Sequence, residues 1–311
     1  MAENRITAEM NLSEVKSYIN RLIAVYDKKE DKMFIKQYLQ GSGNELKDKF
    51  WSRKSSSRLA FDLYSWMAVE QITVDFQFEK QLPGVVCKKS GPSGVPNMDV
   101  YFETEDEIVF IESKYTEKES TAYTNGENPH LSKAYWEKEE YGNMSITDRF
   151  YGRSDIAECF SNFIISIQQE IDKQKCPKWF YPKQETTHLF GIIFNLLKGR
   201  KDENGKFICD EEYMGNITNV YFYNIIWKME GDDFENKNSL PYSFIEKADQ
   251  LFKDIFGDTL RFYYKILVAQ DLLNGSVYFH GYDFKNAKPF GLKDVSLYDH
   301  MMKQYKTDSK R

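Results

Sequence analysis

The chain has 311 residues, of which 42 are Lys or Arg and 48 are Asp or Glu, giving a formal net charge of −6. At 41% hydrophobic and 16% aromatic it can bury a sizeable core, as one large domain or two small ones. Its longest apolar run, residues 189–197, is far too short to span a bilayer, and residues 1–5 open a polar segment rather than an apolar leader, so a cytoplasmic protein with no membrane partner is expected.

Residues 12–26 and 33–39 show helical spacing, with Ser13 as an N-cap, and form a helical extension over 1–40. Gly41-Ser42-Gly43-Asn44 breaks the pattern, and a short helix follows over 45–51. Ser55-Ser56-Ser57 opens another helix through Leu59, Leu63, Trp66 and Met67. Residues 73–78 alternate like a strand, and 81–97, rich in Gly and Pro, read as a loop.

The most informative stretch comes next. Pro96-Asn97-Met98-Asp99 opens a strand over 98–102, an acidic turn follows around 104–107, and Ile108-Val109-Phe110-Ile111-Glu112-Ser113-Lys114 forms a second strand. Side chains alternate along a strand, so Glu112 and Lys114 face one way and Ser113 the other. A tight turn sets the two strands side by side and brings Asp99 towards Glu112. Two carboxylates and an ammonium then converge, an oxygen-rich site for a hard divalent cation. Glu112 and Lys114 could also be ordinary solvent-facing residues and Asp99 a turn cap. The unbroken apolar run from Ile108 to Ile111 argues that both faces of this strand are buried, so that Glu112 and Lys114 need a partner or a metal.

Residues 117–153 are polar and weakly patterned and read as an insertion with one short helix near 131–140. An amphipathic helix covers 156–171, with Phe160, Phe163, Ile164 and Ile167 on its apolar face. Core strands are expected at 189–197 and 220–227, a helix at 243–256, a strand at 262–268 and a terminal helix at 295–305. With no repeat and no linker, one α/β domain over 1–311 with a mixed central sheet and flanking helices is the simplest account.

Asp99 followed by Glu112-Ser113-Lys114 on consecutive strands resembles the signature of the PD-(D/E)XK nuclease superfamily, with its restriction-endonuclease-like fold. Pro96 and Asp99 are separated by two residues where that family has them adjacent, while Glu112-Ser113-Lys114 fits unchanged. The order of a helix over 45–51 with its successor, strands at 73–78, 98–102 and 108–114, a helix at 156–171 and a strand at 189–197 also matches that core, which would span 41–197 and leave 198–311 as C-terminal strands and helices. The block from Gly41 to Leu46 with Ser55 to Ala60 resembles an N-terminal block of uncharacterised prokaryotic members.

The resemblance implies that Asp99, Glu112 and the backbone carbonyl of Ser113 hold Mg²⁺, with Mn²⁺ able to substitute. Lys114 would orient the attacking water and offset developing charge, and cleavage would leave a 5′-phosphate and a 3′-hydroxyl. Many members add a Glu from the first core helix, for which Glu45 is the candidate and Asp62 the competitor. The Gln-x-x-x-Tyr pattern of some members is absent on the helix 156–171, where Gln168 and Gln169 are followed by Asp172 and Lys173. The implied partner is nucleic acid, DNA in the first instance. Cutting both strands of a duplex calls for two sites, which a homodimer would supply.

Net charge does not favour phosphate binding, so contacts would fall to a local stripe. Lys47, Lys49, Arg53, Lys54 and Arg58 supply one against Glu45 and Asp48, and Lys198, Arg200, Lys201 and Lys206 supply another. Either could be a solvated face. Cys87, Cys159, Cys176 and Cys209 form no Cys-x-x-Cys pair, and His130, His188, His280 and His300 show no ligand spacing, which disfavours zinc chemistry and a disulfide framework. No P-loop and no Gly-x-Ser-x-Gly elbow occurs. A glycosidase would use the paired carboxylates but has no part for Lys114. The main alternative is a non-cleaving nucleic-acid- or protein-binding module on the same fold, and the blandest is an α/β interaction protein whose motif is accidental.

Overall fold

The computed structural model describes residues 37–38, 50, 55–67, 75–82, 96–115, 131, 153–174, 176–177, 179–201, 203, 207–208, 216–229, 236–289 and 294–305. In chain order these form α1 (Ser56–Tyr64), β1 (Asp75–Gln81), β2 (Asn97–Glu103), β3 (Glu107–Lys114), α2 (Ser154–Lys173), α3 (Pro182–Leu196), β4 (Arg200–Lys201), β5 (Phe207–Ile208), β6 (Asn219–Ile226), α4 (Leu240–Phe256), β7 (Arg261–Val268), α5 (Ala269–Leu273) and α6 (Leu297–Gln304).

Five strands make a mixed sheet in the order β1-β2-β3-β6-β7. β1, β2 and β3 form an antiparallel meander, while β6 runs parallel to β3 and β7 parallel to β6. The Thr104 N–H donates to the Glu107 carbonyl at 3.0 Å and closes the tight turn between β2 and β3 that the acidic sequence predicts. The parallel pairs require crossovers, and α4 supplies the one between β6 and β7.

Helices cover both faces. Against one face, α2, α3 and α4 bury Phe160, Ile164, Ile167, Phe190, Ile193, Phe244 and Phe252 on Ile108, Phe110, Val220 and Phe222. Against the other, α1, α5 and α6 bury Leu59, Leu63, Leu272 and Met301 on Val109, Ile111, Tyr223 and Ile225. β3 and β6 are buried on both faces because they are central, which is why their sequences run apolar without alternation. Each such Phe, Ile or Leu contributes about 1.5–3 kcal/mol over an exposed one.

Local signals explain several boundaries. Ser55 caps α1 by accepting the Arg58 N–H, and Ser296 caps α6 by accepting that of Asp299. Pro182 and Pro241 sit in the first turns of α3 and α4, where no N–H is needed.

One expected element is different. Residues 189–197 are not a core strand; all but the last belong to α3, which starts at Pro182. The next strand of the main sheet after the β2–β3 hairpin is β6, so the core strand expected at 189–197 lies instead at Asn219–Ile226, after both α2 and α3. Apart from residues 37–38 and 50, the helix expected at 45–51 and the extension over 1–40 lie outside the described residues, as does most of the insertion over 117–153. Among the described residues no helix is long and apolar enough to cross a membrane.

Candidate functional site

The β2–β3 hairpin positions the predicted residues. Backbone pairing between the two strands ends at Val100–Ile111. One step further, the Ser113 N–H donates to Asp99 Oδ2 at 2.6 Å, so a side chain takes the place of a backbone acceptor where the strands part. By the same register Asp99 lies opposite Glu112.

The alternation along β3 holds. Lys114 Nζ donates to Glu112 Oε1 at 2.6 Å on one face, while Ser113 turns to the other, beside Tyr64 of α1. Asp99, Glu112 and Lys114 are all buried, at 9%, 5% and 4% exposure, so solvent does little to screen them. The proton affinity of Asp99 is raised well above the ordinary value. Burial is the main cause, followed by the charges of Glu112 and Glu79, against the Ser113 N–H and Lys114.

α3 completes the site from above the sheet. Gln184 donates through Nε2 to Glu112 Oε1 at 2.8 Å and accepts from Lys114 Nζ through Oε1 at 2.8 Å, so one amide clamps both halves of the ion pair. Four residues on, one helical turn away, His188 Nε2 lies 3.9 Å from Glu112 Oε2. Burial, then the charge of Lys114, pushes His188 down to about 3, so its ring is neutral and Lys114 is the cation beside Glu112.

β1 brings a third carboxylate. Glu79 is buried and adopts φ +52, a left-handed conformation that costs a non-glycine residue strain. The kink reverses the side-chain alternation. Phe76 and Phe78 belong to the α1 side of the sheet, whereas Leu82 packs on the α3 side and Lys80 lies over the Tyr101 ring. The pairs Phe78–Val100 and Lys80–Met98 place residue 79 opposite Asp99. Glu79, Asp99 and Glu112 thus follow one row across three strands, with Lys114 as the cation among them.

The donor set suits a hard divalent cation: carboxylate oxygens, a backbone carbonyl at Ser113, and more buried negative charge than Lys114 offsets. Among the described residues no group of three or more His, Cys, Asp or Glu side chains is arranged to hold a metal ion. A cation would therefore rest on Asp99 and Glu112 with the Ser113 carbonyl, and take its other positions from water and ligand oxygens, as Mg²⁺ commonly does.

Glu45, Lys47, Lys49, Arg53 and Lys54 lie outside the described residues. Arg58 is described and turned inward. Its Nε donates to Asp62 Oδ2 at 2.8 Å and its guanidinium lies over the Phe50 ring. Asp62, the competitor for the additional acid, also accepts from the Tyr305 hydroxyl at 2.8 Å and sits in the α1–α6 layer. Of the second stripe, Lys198 and Arg200 are exposed.

Gln184, His188 and Glu79 are not singled out by the sequence. A Gln with a His four residues later inside a Pro-started helix is the signal for the first two, and it vanishes when 189–197 is read as a strand. The kink at Glu79 has no signature in residue type. Comparison with known proteins finds no matching family model, curated protein or solved structure.

Proposed function

We propose that the protein is a metal-dependent nuclease that hydrolyses phosphodiester bonds of nucleic acid, DNA in the first instance, at Asp99, Glu112 and Lys114. The observation that carries the reading is the buried row of Asp99 and Glu112 where β2 and β3 part, with Lys114 clamped beside it by Gln184. Fold-level likeness alone would not support a function.

Asp99 and Glu112, with the Ser113 carbonyl, would hold Mg²⁺ or Mn²⁺. Such a cation supplies Lewis acidity to the scissile phosphate and lowers the pKa of water. The side chains do the rest. Lys114 offers N–H donors and a fixed positive charge where negative charge develops on phosphate oxygens. Gln184 fixes the Lys114 ammonium in place before substrate arrives, so little reorganisation is needed. His188, being neutral, adds bulk and polarity without competing for the carboxylate's charge.

A second reading has its own observation. The 2.6 Å ion pair already engages Glu112 Oε1, which is what a binding module with no cation at that oxygen would also have. Cleavage of single- and double-stranded DNA and RNA, with Mg²⁺, Mn²⁺ or EDTA, separates the two. The nuclease reading expects metal-dependent cleavage that is lost in Asp99→Ala, Glu112→Ala and Lys114→Ala. Metal-independent binding with no cleavage of any substrate would establish the module instead.

A further inference from the structure

Beside Glu112, on the β6 side, lies a polar chain that the proposed chemistry leaves unused. Asn224 on β6 is the register partner of Glu112 on β3. Its Nδ2 donates to the Tyr264 hydroxyl at 2.7 Å, and that hydroxyl donates to Glu185 Oε2 at 2.9 Å. Asn224, Tyr264 and Glu185 are 2%, 4% and 1% exposed.

The direction of each bond is fixed by what the groups can give. An ionised carboxylate only accepts, so the single hydroxyl proton of Tyr264 goes to Glu185. The Tyr264 oxygen is then left as an acceptor, which obliges Asn224 to present its NH₂ there. The amide is thereby oriented and its carbonyl held away from Tyr264. That carbonyl, Asn224 Oδ1, is buried and has no hydrogen-bond partner among the described residues. A buried acceptor left unmade costs about 1–3 kcal/mol, and three apolar residues would fill the same space without that cost. Glu112, its neighbour in the sheet, offers only acceptors when ionised. A group that suits both must bring two hydrogens, which is what a water supplies.

We propose that Asn224, oriented by Tyr264 and Glu185, is a positioning residue of the Asp99–Glu112 cation site, its carbonyl accepting a hydrogen bond from a water of the cation's shell. The proposal rests on the reading of that site as a divalent-cation site. Tyr264 and Glu185 act through Asn224, as outer-layer groups act through the ligands they orient.

The test is a calorimetric Mn²⁺ titration of the full chain, with circular dichroism and melting temperature recorded for each variant. Wild type should bind Mn²⁺ and Asp99→Ala should not. Tyr264→Phe keeps the ring packing and removes only the hydroxyl, and Glu185→Gln keeps the shape and removes the charge. Both should retain the fold and bind Mn²⁺ about 10–100-fold more weakly. A purely structural role would lower the melting temperature and leave Mn²⁺ affinity alone, and that result in either folded variant overturns the proposal while the cation site stands. Absence of Mn²⁺ binding by wild type overturns both.

Discussion

The Ser113 amide donates to Asp99 Oδ2 at 2.6 Å across the β2–β3 hairpin, at the point where backbone pairing has stopped. The bond ties Asp99 to the backbone of the strand that carries Glu112 and Lys114. The separation of Asp99 from the Glu112–Lys114 pair is thus set by the sheet and not by side-chain packing alone. The cost is electrostatic, since the carboxylates crowd where solvent cannot screen them.

That cost makes Asp99→Asn informative. The amide oxygen can still accept from Ser113, so the fold should be kept. Because the folded-state proton affinity of Asp99 is raised, its contribution is favourable at acid pH and is lost as pH rises through the folded value. Without metal, the Asn variant should melt higher than wild type near pH 8, by about 2–4 °C, the shift that about 1 kcal/mol produces in a large domain. The gap should close towards pH 4. Mn²⁺ should raise the wild-type melting temperature and leave that of the variant unchanged. A variant that melts lower at pH 8 would show that the charge is not a liability.

Gln184→Leu tests the clamp. The substitution keeps bulk and removes the two hydrogen bonds from the amide to Lys114 and Glu112, leaving their direct 2.6 Å contact. Lys114 keeps its charge and its bond to Glu112 but loses the bond that anchors it to α3. Cleavage should fall about 10–100-fold, chiefly in kcat, because the lost positioning bears on the reacting phosphate. A rate within twofold of wild type would reduce Gln184 to a bystander.

His280 offers a pH test far from the site. Its Nδ1 lies 2.9 Å from Glu107 Oε2 and its Nε2 lies 3.0 Å from the Tyr223 hydroxyl, so it joins the residues after α5 to the start of β3. Burial holds its proton affinity below the ordinary 6.5, with Glu107 opposing and Lys265 adding to the shift. The unfolded chain therefore takes up a proton that the folded chain resists. The stabilisation is complete above 6.5 and declines as pH falls below it. His280 sits at φ +49, which Asn tolerates better than most residues, so His280→Asn is the variant to use. The stability difference between wild type and His280→Asn should shrink between pH 7.5 and 5. A difference that is constant over this interval would mean that the ring does not titrate in it.

The hairpin was legible because its chemistry is local. An apolar run with Glu and Lys two residues apart at its end fixes the facing of Glu112 and Lys114, and an acidic tetrad marks the turn. The α3 segment 189–197 reads as a strand for a physical reason. His188 through Phe194 are buried without a break, so the helix lacks the polar face that gives a period, and an apolar run of that length looks like a central strand. Pro182, six residues before His188 and at a first-turn position, is the usable signal. Asn224 became a neighbour of Glu112 only through the parallel β3–β6 pairing, a contact across more than a hundred residues that no local pattern encodes.

Gly191 tests how closely α3 must approach that hairpin. A Cβ there would meet Leu82 Cβ at 2.8 Å, Leu82 Cδ1 at 3.0 Å and Pro96 Cγ at 3.2 Å. Leu82 and Pro96 are tied together, the Leu82 N–H donating to the Pro96 carbonyl at 2.9 Å, and Pro96 directly precedes β2. The glycine therefore lets the helix that carries Gln184 and His188 lie against the entrance to the strand that carries Asp99. In Gly191→Ala two effects oppose. Helix propensity gains about 1 kcal/mol, and overpacking against a tied pair costs about 1–3 kcal/mol. The net should be destabilising by up to about 2 kcal/mol. Relief requires α3 to retreat or Pro96 to move, and either changes the distance between Gln184 and the hairpin. Gly191→Ala should therefore lower the melting temperature and weaken Mn²⁺ binding together, although it touches no charged residue. If the variant melts at or above wild type and binds Mn²⁺ as well, the close approach at Gly191 does not set the geometry of the site.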